Sequence, residues 1–352
     1  MNTEIIKIQP GDGPVGEEDD AKLKAAGEIL RRGGLVAFPT ETVYGLGGDA
    51  LNPTSSKRIY AAKGRPSDNP LIVHIYRFED IYKITGDVPE EARRIADAFW
   101  PGPLTMILPK SDAVPYETTG GLDTVAIRMP SHPAAQKLIE YSGGYIAAPS
   151  ANTSGKPSPT VAKYVVEDMM GRIDAIIDGG EVGIGLESTI IDLTVSPPQI
   201  LRPGYITREK LSAVLGTVDT DATILRADSG QAPKAPGMKY RHYAPAEPVV
   251  IVSGSREKAA AYIHRHFTPG DRVLCFEEEL PLYADCAPLA YGREADVLSL
   301  SAGLFSALRI LDDPSIHQVY ARCPVGGGVA YAVQNRLKKA AAFHIVDAEA
   351  EV

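Results

Sequence analysis

Short apolar runs recur along the chain, and each ends in a loop rich in polar residues, glycine or proline. Examples are Leu35–Phe38, Leu71–Ile75 and Leu104–Leu108. Runs of this length are typical of buried strands, whereas apolar residues spaced three and four apart indicate helices. Because the two patterns alternate along most of the sequence, we predict α/β layers.

The alternation is interrupted once, which suggests two domains in the 352 residues. Residues 217–247 are rich in Asp, Ala, Pro and Gly and carry no helical or strand period. From Pro248 onward strands and helices alternate regularly, which predicts a small parallel α/β domain. The expected bounds are 1–216 for the first domain, 217–247 for a linker and 248–352 for the second domain.

Composition restricts the classes of function. The net charge is −9, so a broad electrostatic grip on nucleic acid is not indicated. The three cysteines are never spaced as Cys-x-x-Cys, which argues against a disulfide framework or a structural zinc site and favours a reducing compartment. No apolar run approaches membrane-spanning length and no signal-peptide pattern opens the chain, so we expect a cytoplasmic protein.

Two neighbouring segments carry most of the candidate chemistry. Phe38–Gly47 follows a predicted strand and is dense in hydroxyls and glycine. A helix is predicted after it, with Asn52 as its cap, Pro53 in its first turn and Gly64 at its end. Lys63–Asn69 then supplies two cations in a loop that contains glycine and proline. Small ligands commonly bind where strands of α/β sheets end. Hydroxyls beside paired cations suit a polyanion such as a nucleoside triphosphate, although polar turns of this kind are also common without a ligand.

Several familiar catalytic motifs are absent from the sequence. Gly155-Lys156 is not a Walker loop, and neither His-Glu-x-x-His nor Gly-x-Ser-x-Gly occurs. His264 and His266 are two apart on a predicted helix, so they point in different directions and are poor co-ligands. What remains is a set of cations and hydroxyls on loops that leave strands: Thr40, Lys63, Arg65, Ser67, Thr124, Arg128, Ser150, Asn152, Ser158, Ser188 and Arg202.

At these positions the chain resembles a known family. The segments around Thr40, Lys63-Gly64-Arg65, Trp100–Pro103, Ser150-Ala151-Asn152 and Glu187-Ser188-Thr189 are similar to those of YrdC-type enzymes. The two-domain form with a linker resembles the longer Sua-five branch of threonylcarbamoyl-AMP synthases. The resemblance covers about Ile6 through Ala342. It implies a twisted, open, mixed sheet with helices in the first domain and a smaller Rossmann-like parallel α/β domain after the linker.

The resemblance also implies an activity. Such enzymes condense L-threonine, bicarbonate and ATP to threonylcarbamoyl-adenylate with release of pyrophosphate, and a partner complex transfers the group to the tRNA adenosine beside the anticodon. Magnesium is expected with the ATP, without a dedicated set of protein ligands. Direct tRNA binding and membrane association are not expected.

Residue roles carry over from the resemblance position by position. Lys63 and Arg65 are the expected catalytic residues. The expected ATP-binding residues are Lys63, Arg65, Ser67, Ser150, Asn152, Ser158, Arg202 and Tyr243. The expected L-threonine and bicarbonate residues are Thr40, His74, Thr124, Arg128 and Ser188. The linker segment Tyr240–Tyr243 is expected to fold across the cleft as a lid; an ordered strap without a catalytic part is the alternative.

Other readings stay open at this point. The cations of the first domain suit a groove for tRNA or double-stranded RNA, although net acidity counts against such a module. The carbamoyl-transfer relative of hydrogenase maturation would need cysteine-rich zinc motifs, which three scattered cysteines do not provide. The second domain offers nothing specific for a ligand of its own; Gly326-Gly327-Gly328 is read as a tight turn in preference to a phosphate cradle.

Overall fold

The computed structural model describes residues 2–11, 13–225, 235–236 and 243–350. These fall into two compact units. Among the described residues, the first unit comprises 2–11, 13–154, 158–224 and 235–236, and the second comprises 155–157, 225 and 243–350. Among the described helices, none combines the length and the apolar character needed to cross a bilayer.

The first unit is built on a mixed sheet of eleven strands within the described residues. The strands are β1 (Glu4–Lys7), β2 (Val36–Phe38), β3 (Gly45–Asp49), β4 (Ile72–His74), β5 (Leu104–Pro109), β6 (Thr124–Arg128), β7 (Ile146–Ala147), β8 (Ala175–Asp178), β9 (Thr189–Asp192), β10 (Gln199–Arg202) and β11 (Asp219–Thr220). Their spatial order is β1-β8-β2-β3-β7-β4-β6-β5-β9-β10-β11. Parallel and antiparallel pairs are mixed, as predicted for this domain.

Helices flank this sheet. They are α1 (Glu17–Arg31), α2 (Pro53–Lys63), α3 (Ile81–Ile84), α4 (Glu90–Phe99), α5 (Tyr116–Thr119), α6 (Pro133–Tyr141), α7 (Ala162–Met169) and α8 (Arg208–Leu215). Short 3₁₀ turns occur at Phe78–Asp80 and Ala222–Leu225. Helices α1 and α6 pack together over the strands at one side of the sheet, where Leu23, Phe38 and Leu138 belong to one buried apolar cluster.

The helix that delivers Lys63 has the ends that the sequence predicts. The Asn52 side chain accepts a hydrogen bond from the Thr54 N–H at 2.9 Å, and Pro53 occupies the first helical position. Gly64 ends α2 in the left-handed conformation with φ of 62°. A residue with a side chain is strained there, so glycine at this position fixes where Lys63 leaves the helix.

The Phe38–Gly47 segment differs from the expectation in one respect. The segment returns as strand β3, antiparallel to β2, where a loop leading to the helix at Pro53 was expected. Glycines hid this strand from the sequence pattern, since they have low strand propensity. They are required because the backbone is closely approached: a Cβ on Gly47 would lie 2.9 Å from Ile146 and 3.0 Å from the Phe38 ring.

The second unit contains a five-stranded sheet in the part of the chain that is described. Its strands are β12 (Val249–Ser253), β13 (Arg272–Cys275), β14 (Pro288–Ala290), β15 (Val319–Ala321) and β16 (Ile345–Asp347), in the order β14-β13-β15-β12-β16. Every pair is parallel. The helices are α9 (Arg256–His266), α10 (Val297–Ile310) and α11 (Val329–Ala340), with a 3₁₀ turn at Glu277–Tyr283. The predicted fold class is confirmed in both units.

Candidate active site

A row of polar side chains crosses the middle of the first sheet. His74 on β4 is in register with Arg128 on β6, and Arg128 with Thr105 on β5. Thr105 is in register with Ile190 on β9, which is opposite Arg202 on β10. Residues in register on neighbouring strands share a face of the sheet. Side chains that are up to 128 positions apart in sequence therefore lie side by side on one surface.

Arg128 is buried, and its charge faces a buried carboxylate. Its Nη2 lies 2.8 Å from Oε1 of Glu41, and both side chains are less than 10% exposed. The atoms are close but poorly aligned, because neither Glu41 oxygen and neither Nε nor Nη2 of Arg128 has a hydrogen-bond partner. Buried polar groups are normally paired, and native exceptions often mark sites that bind something. This pair therefore offers unused donors and acceptors at the centre of the site.

Arg202 is held in place by neighbouring strands. Its Nε donates to the Ser188 carbonyl at 3.0 Å, and its Nη2 to the Ser188 hydroxyl at 3.1 Å. The same hydroxyl lies 2.8 Å from Oγ1 of Thr105. Nη1 of Arg202 donates to the Pro236 carbonyl at 3.4 Å. These contacts with Ser188 and Pro236 hold the guanidinium in a fixed position.

His74 is a neutral member of the row. It is buried, its ring meets the Phe38 ring edge-on at 6.3 Å, and its Nδ1 lies 3.1 Å from the Ile72 carbonyl. Burial, with the nearby Arg128 charge as a second cause, lowers the pKa of His74 to about 3. The ring is therefore uncharged at neutral pH and is suited to positioning a ligand rather than to acid catalysis.

The loop between β2 and β3 connects the parts of the site. The Thr40 hydroxyl donates to the Val43 carbonyl at 2.6 Å and accepts from the Thr42 and Val43 N–H groups, which closes the turn. The Tyr44 N–H donates to the Pro159 carbonyl, and the Tyr44 carbonyl accepts from the Ala151 N–H. The loop therefore touches the segments that carry Ser150, Asn152 and Ser158, while Glu41 reaches Arg128.

Lys63 joins two of the predicted segments directly. It is buried, and its ammonium donates to the carbonyl oxygens of Ser150 and Asn152. The Lys63 carbonyl accepts from the Ser154 N–H at 2.9 Å. The Lys-x-Arg and Ser-x-Asn segments, which are 87 residues apart, thus form one cluster.

The other predicted residues occupy the surroundings. Arg65 is half-buried and donates to the Asn69 and Pro70 carbonyls, while Ser67 is exposed in the turn that follows. Ser158 is buried and donates to Oε1 of Glu187 at 2.7 Å. Thr124 shares the face of Arg128 but begins β6, about 13 Å of strand away from it. The structure therefore does not bring Thr124 into the polar row.

Of the linker residues assigned to the lid, only Tyr243 is described; Tyr240, Arg241 and His242 lie outside the described residues. Tyr243 belongs to the second unit. It is buried, has a positive φ of 64°, and stacks on Phe305 with ring centroids 5.1 Å apart. Ala235 is fully buried in the first unit, in a cluster with Ile72, Ala126 and Leu201 on the sheet.

Sequence reasoning missed three residues of the site. Glu41 lies within the Phe38–Gly47 segment and Glu187 precedes Ser188, but the sequence predicts no role for either. Thr105 was hidden inside an apolar strand. The sequence signal for Thr105 is a polar residue within an apolar strand. It lies on the same face of that strand as Ile107, because residues two apart in a strand share a face. Nothing in the sequence alone indicates that Glu41 lies against Arg128.

Together these features define an α/β protein with a cationic, hydroxyl-lined ligand site. Two family models match the chain. Residues 28–204 match the Sua5–YciO–YrdC model, which carries the description "telomere recombination", and residues 206–342 match the model of the threonylcarbamoyl-AMP synthase C-terminal domain.

Curated relatives agree in name over nearly the whole chain. The threonylcarbamoyl-AMP synthase of Pyrococcus abyssi is 47% identical over 93% of this chain and 96% of its own length. That of Bacillus subtilis is 47% identical over 93% and 95%. The chain therefore belongs to the threonylcarbamoyl-AMP synthase family, in its long, two-domain Sua5 form, which confirms the resemblance noted from the sequence.

Solved structures give the same result for the fold. P. abyssi Sua5 complexed with L-threonine superposes with a TM-score of 0.89 at 44% identity, over 98% of this chain and 99% of that one. A doubly substituted variant of the same protein gives 0.91 at 44% identity, with 98% of both chains covered. E. coli YciO matches 57% of this chain at 26% identity with a TM-score of 0.51.

Proposed function

We propose that this protein forms L-threonylcarbamoyl-adenylate from L-threonine, bicarbonate and ATP, with release of pyrophosphate. The observation that carries the proposal is the polar row, in which Arg128 has unused donors and Arg202 is a second cation of the same row, with β5 and β9 between them. Family membership and the L-threonine complex of P. abyssi Sua5 support the choice of substrates. The product would serve modification of the tRNA adenosine next to the anticodon, through a separate transferase complex.

The chemistry requires little of the protein beyond positioning and charge. The threonine amine and bicarbonate lose water to form a carbamate. A carbamate oxygen then attacks the α-phosphorus of ATP, the bond from that phosphorus to the bridging oxygen of the β-phosphate breaks, and pyrophosphate leaves. Because the nucleophile belongs to the substrate, preorganised cations that stabilise the developing charge supply the catalysis.

Within this proposal, Arg128 holds the carboxylate of threonine, since the guanidinium fork suits two oxygens at once. Thr40, His74, Thr124 and Ser188 complete the expected threonine and bicarbonate set. Neutral His74 orients the amino acid without competing as a cation.

The nucleotide is expected to bind at the cluster formed by Lys63 and the Ser150–Asn152 segment. Lys63 and Arg65 act on the triphosphate with Ser67, and Arg202 faces the nucleotide. Ser150, Asn152 and Ser158 line the same region, whereas the role of Tyr243 remains an expectation carried over from the family. For Lys63 to act, its ammonium would exchange one carbonyl partner for a phosphate oxygen, which is a stronger, charge-assisted contact.

Glu187 accepts a hydrogen bond from Ser158, and Glu41 faces the cation Arg128, so neither carboxylate is expected to serve as a dedicated magnesium ligand. A magnesium ion would therefore arrive with ATP, held by phosphate oxygens and water.

The test is incubation of the full chain with ATP, L-threonine and bicarbonate, followed by mass analysis for the adenylate. Omitting any one substrate should abolish the product. Lys63→Ala should lower pyrophosphate release by some tens of fold, because a charge-assisted contact is worth on the order of 2 kcal/mol. Lys57→Ala is the matched control, since Lys57 lies on the same helix and pairs with Glu117 at the surface. Unchanged release after both Lys63→Ala and Arg65→Ala would contradict the assignment.

A further inference from the structure

The second unit contains a cluster of three different metal-ligating side chains that no part of the proposed reaction uses. His264 lies on α9, and Asp285 and Cys286 follow the 3₁₀ turn Glu277–Tyr283. Their ligand atoms all lie within 4.8 Å of one another. The spacing of the cysteines does not predict this cluster, because His264 is 21 residues from Asp285 in the sequence and the cluster contains a single cysteine.

The three distances match one face of a tetrahedron around a metal ion. Sγ of Cys286 is 3.4 Å from Nδ1 of His264 and 3.6 Å from Oδ1 of Asp285, and these two atoms are 3.7 Å apart. Zinc bonds of ordinary length to sulfur, nitrogen and oxygen, at tetrahedral angles, separate the ligand atoms by about 3.3–3.6 Å. Small side-chain adjustments would therefore suffice for one ion to contact all three.

The histidine is also in the tautomer that a metal requires. Nε2 of His264 lies 2.8 Å from the Leu282 carbonyl, which can only accept a hydrogen bond. In the neutral ring Nε2 must therefore carry the proton, and Nδ1 presents its lone pair to the cluster. A carbonyl that accepts from the other ring nitrogen is the usual support of a metal-bound histidine.

Of the three side chains in the cluster, one is buried in the protein and two are accessible to solvent. Cys286 is 2% exposed within an apolar cluster of this unit, and its N–H donates to the Tyr283 carbonyl at 2.8 Å. The side chains of His264 and Asp285 are 39% and 79% exposed. An ion can reach the cluster from solvent, and a water molecule can fill the fourth position.

We propose that His264, Asp285 and Cys286 bind one Zn²⁺ ion, with water as the fourth ligand. A sulfur, imidazole and carboxylate set favours zinc over magnesium or calcium, which prefer oxygen ligands alone. Binding forms a zinc–sulfur bond, and the thiol proton passes to the buffer.

The experiment uses the full chain after chelator treatment. Zn²⁺ is titrated in competition with a chromophoric chelator, and Co²⁺ is added in parallel as a spectroscopic substitute. We expect one ion per chain, a sulfur-to-cobalt charge-transfer band and the strong visible bands of four-coordinate cobalt. Absence of stoichiometric Zn²⁺ binding, or a cobalt spectrum without the sulfur band, would overturn the proposal.

Substitutions locate the site. His264→Asn, Cys286→Ser and Asp285→Asn should each weaken Zn²⁺ binding by more than about tenfold. His266→Asn, two residues from His264, and Cys323→Ser, outside the cluster, are matched controls of the same residue types and should leave binding unchanged. Equal weakening by the controls would overturn the assignment. If Cys286→Ser does not fold, the effect of Asp285→Asn, at an exposed residue, and the cobalt band of the unsubstituted protein still test whether the cluster binds the ion. The readout is metal binding, so it does not depend on the proposed enzymatic activity.

Discussion

Each unit buries an arginine–glutamate pair, and the two pairs are built differently. In the second unit, Nε of Arg322 bonds to both oxygens of Glu279, at 3.0 and 3.2 Å. Its other nitrogens donate to the Val252 and Gly254 carbonyls. In the first unit, Arg128 and Glu41 are equally close but have atoms without hydrogen-bond partners. A completed network stabilises a fold, whereas an incomplete one leaves donors for a ligand.

The largest expected effect comes from breaking the completed pair. Arg322→Ala leaves the Glu279 carboxylate buried without its partner, which should lower the free energy of unfolding of the second unit by about 3–5 kcal/mol. Urea unfolding, monitored by hydrogen exchange of amides in the second unit, measures this free energy. Replacing both partners, by Arg322→Met with Glu279→Leu, should cost less than the single change.

Arg293→Ala is the matched control, because Arg293 pairs with Glu277 at the surface and should contribute only about 0–1 kcal/mol. If Arg322→Ala were as mild as this control, the contrast between the two pairs would be lost.

The incomplete pair should show its importance in activity. Arg128→Lys keeps a positive charge beside Glu41, so stability should change little. It removes the fork that binds a carboxylate through two oxygens. We expect kcat/KM for threonine to fall by about 30- to 150-fold, equivalent to about 2–3 kcal/mol. Steady-state pyrophosphate release at varied threonine measures this, and a large loss of stability with normal kinetics would reverse the interpretation.

The buried histidine beside Arg128 gives a pH dependence. In the unfolded chain His74 takes a proton below its ordinary pKa of 6.5, but in the folded protein its pKa is about 3. The unfolded state therefore binds more protons between these values, and stability falls as the pH is lowered from 6.5 toward 3. The contribution of this residue is ~1.4 kcal/mol per pH unit well below 6.5.

Denaturant unfolding between pH 7 and 5 measures that slope. His74→Gln should reduce this slope by the amount that corresponds to the uptake of up to one proton on unfolding. His317→Gln in the second unit is the comparison variant and should leave the slope unchanged. An unchanged slope in His74→Gln would show that the imidazole is not held neutral in the fold.

The smallest effect should come from Thr105, which supports the site through a neutral contact. Thr105→Val removes the hydroxyl partner of Ser188 but leaves the contacts between Arg202 and Ser188. A neutral hydrogen bond contributes about 1 kcal/mol, so activity should fall only several-fold. Thr119→Val, on α5 and outside the polar row, controls for the loss of a buried hydroxyl. A loss as large as that for Arg128→Lys would mean that the row acts as one unit.

The sequence predicted most elements that have local signals. The Asn52 cap and Gly64 fixed both ends of α2, and the alternation after residue 248 predicted the parallel sheet. It missed β3, because glycines carry no apolar alternation, and it missed β1, in which only two of four residues are apolar. The polar row depends on the register of four pairs of strands, which no local pattern contains. Glu41 could not be distinguished from a turn residue for the same reason.

The contact between Arg202 and Pro236 has a consequence for measurements on the linker. A ligand that binds Arg202 would either compete with the Pro236 carbonyl for the Nη1 N–H group or strengthen that hydrogen bond. By thermodynamic reciprocity, whatever changes the anchoring of this residue must change the affinity for that ligand by an equal factor. The rate of proteolytic cleavage near residue 236, followed against nucleotide concentration, would therefore report occupancy without any labelled substrate.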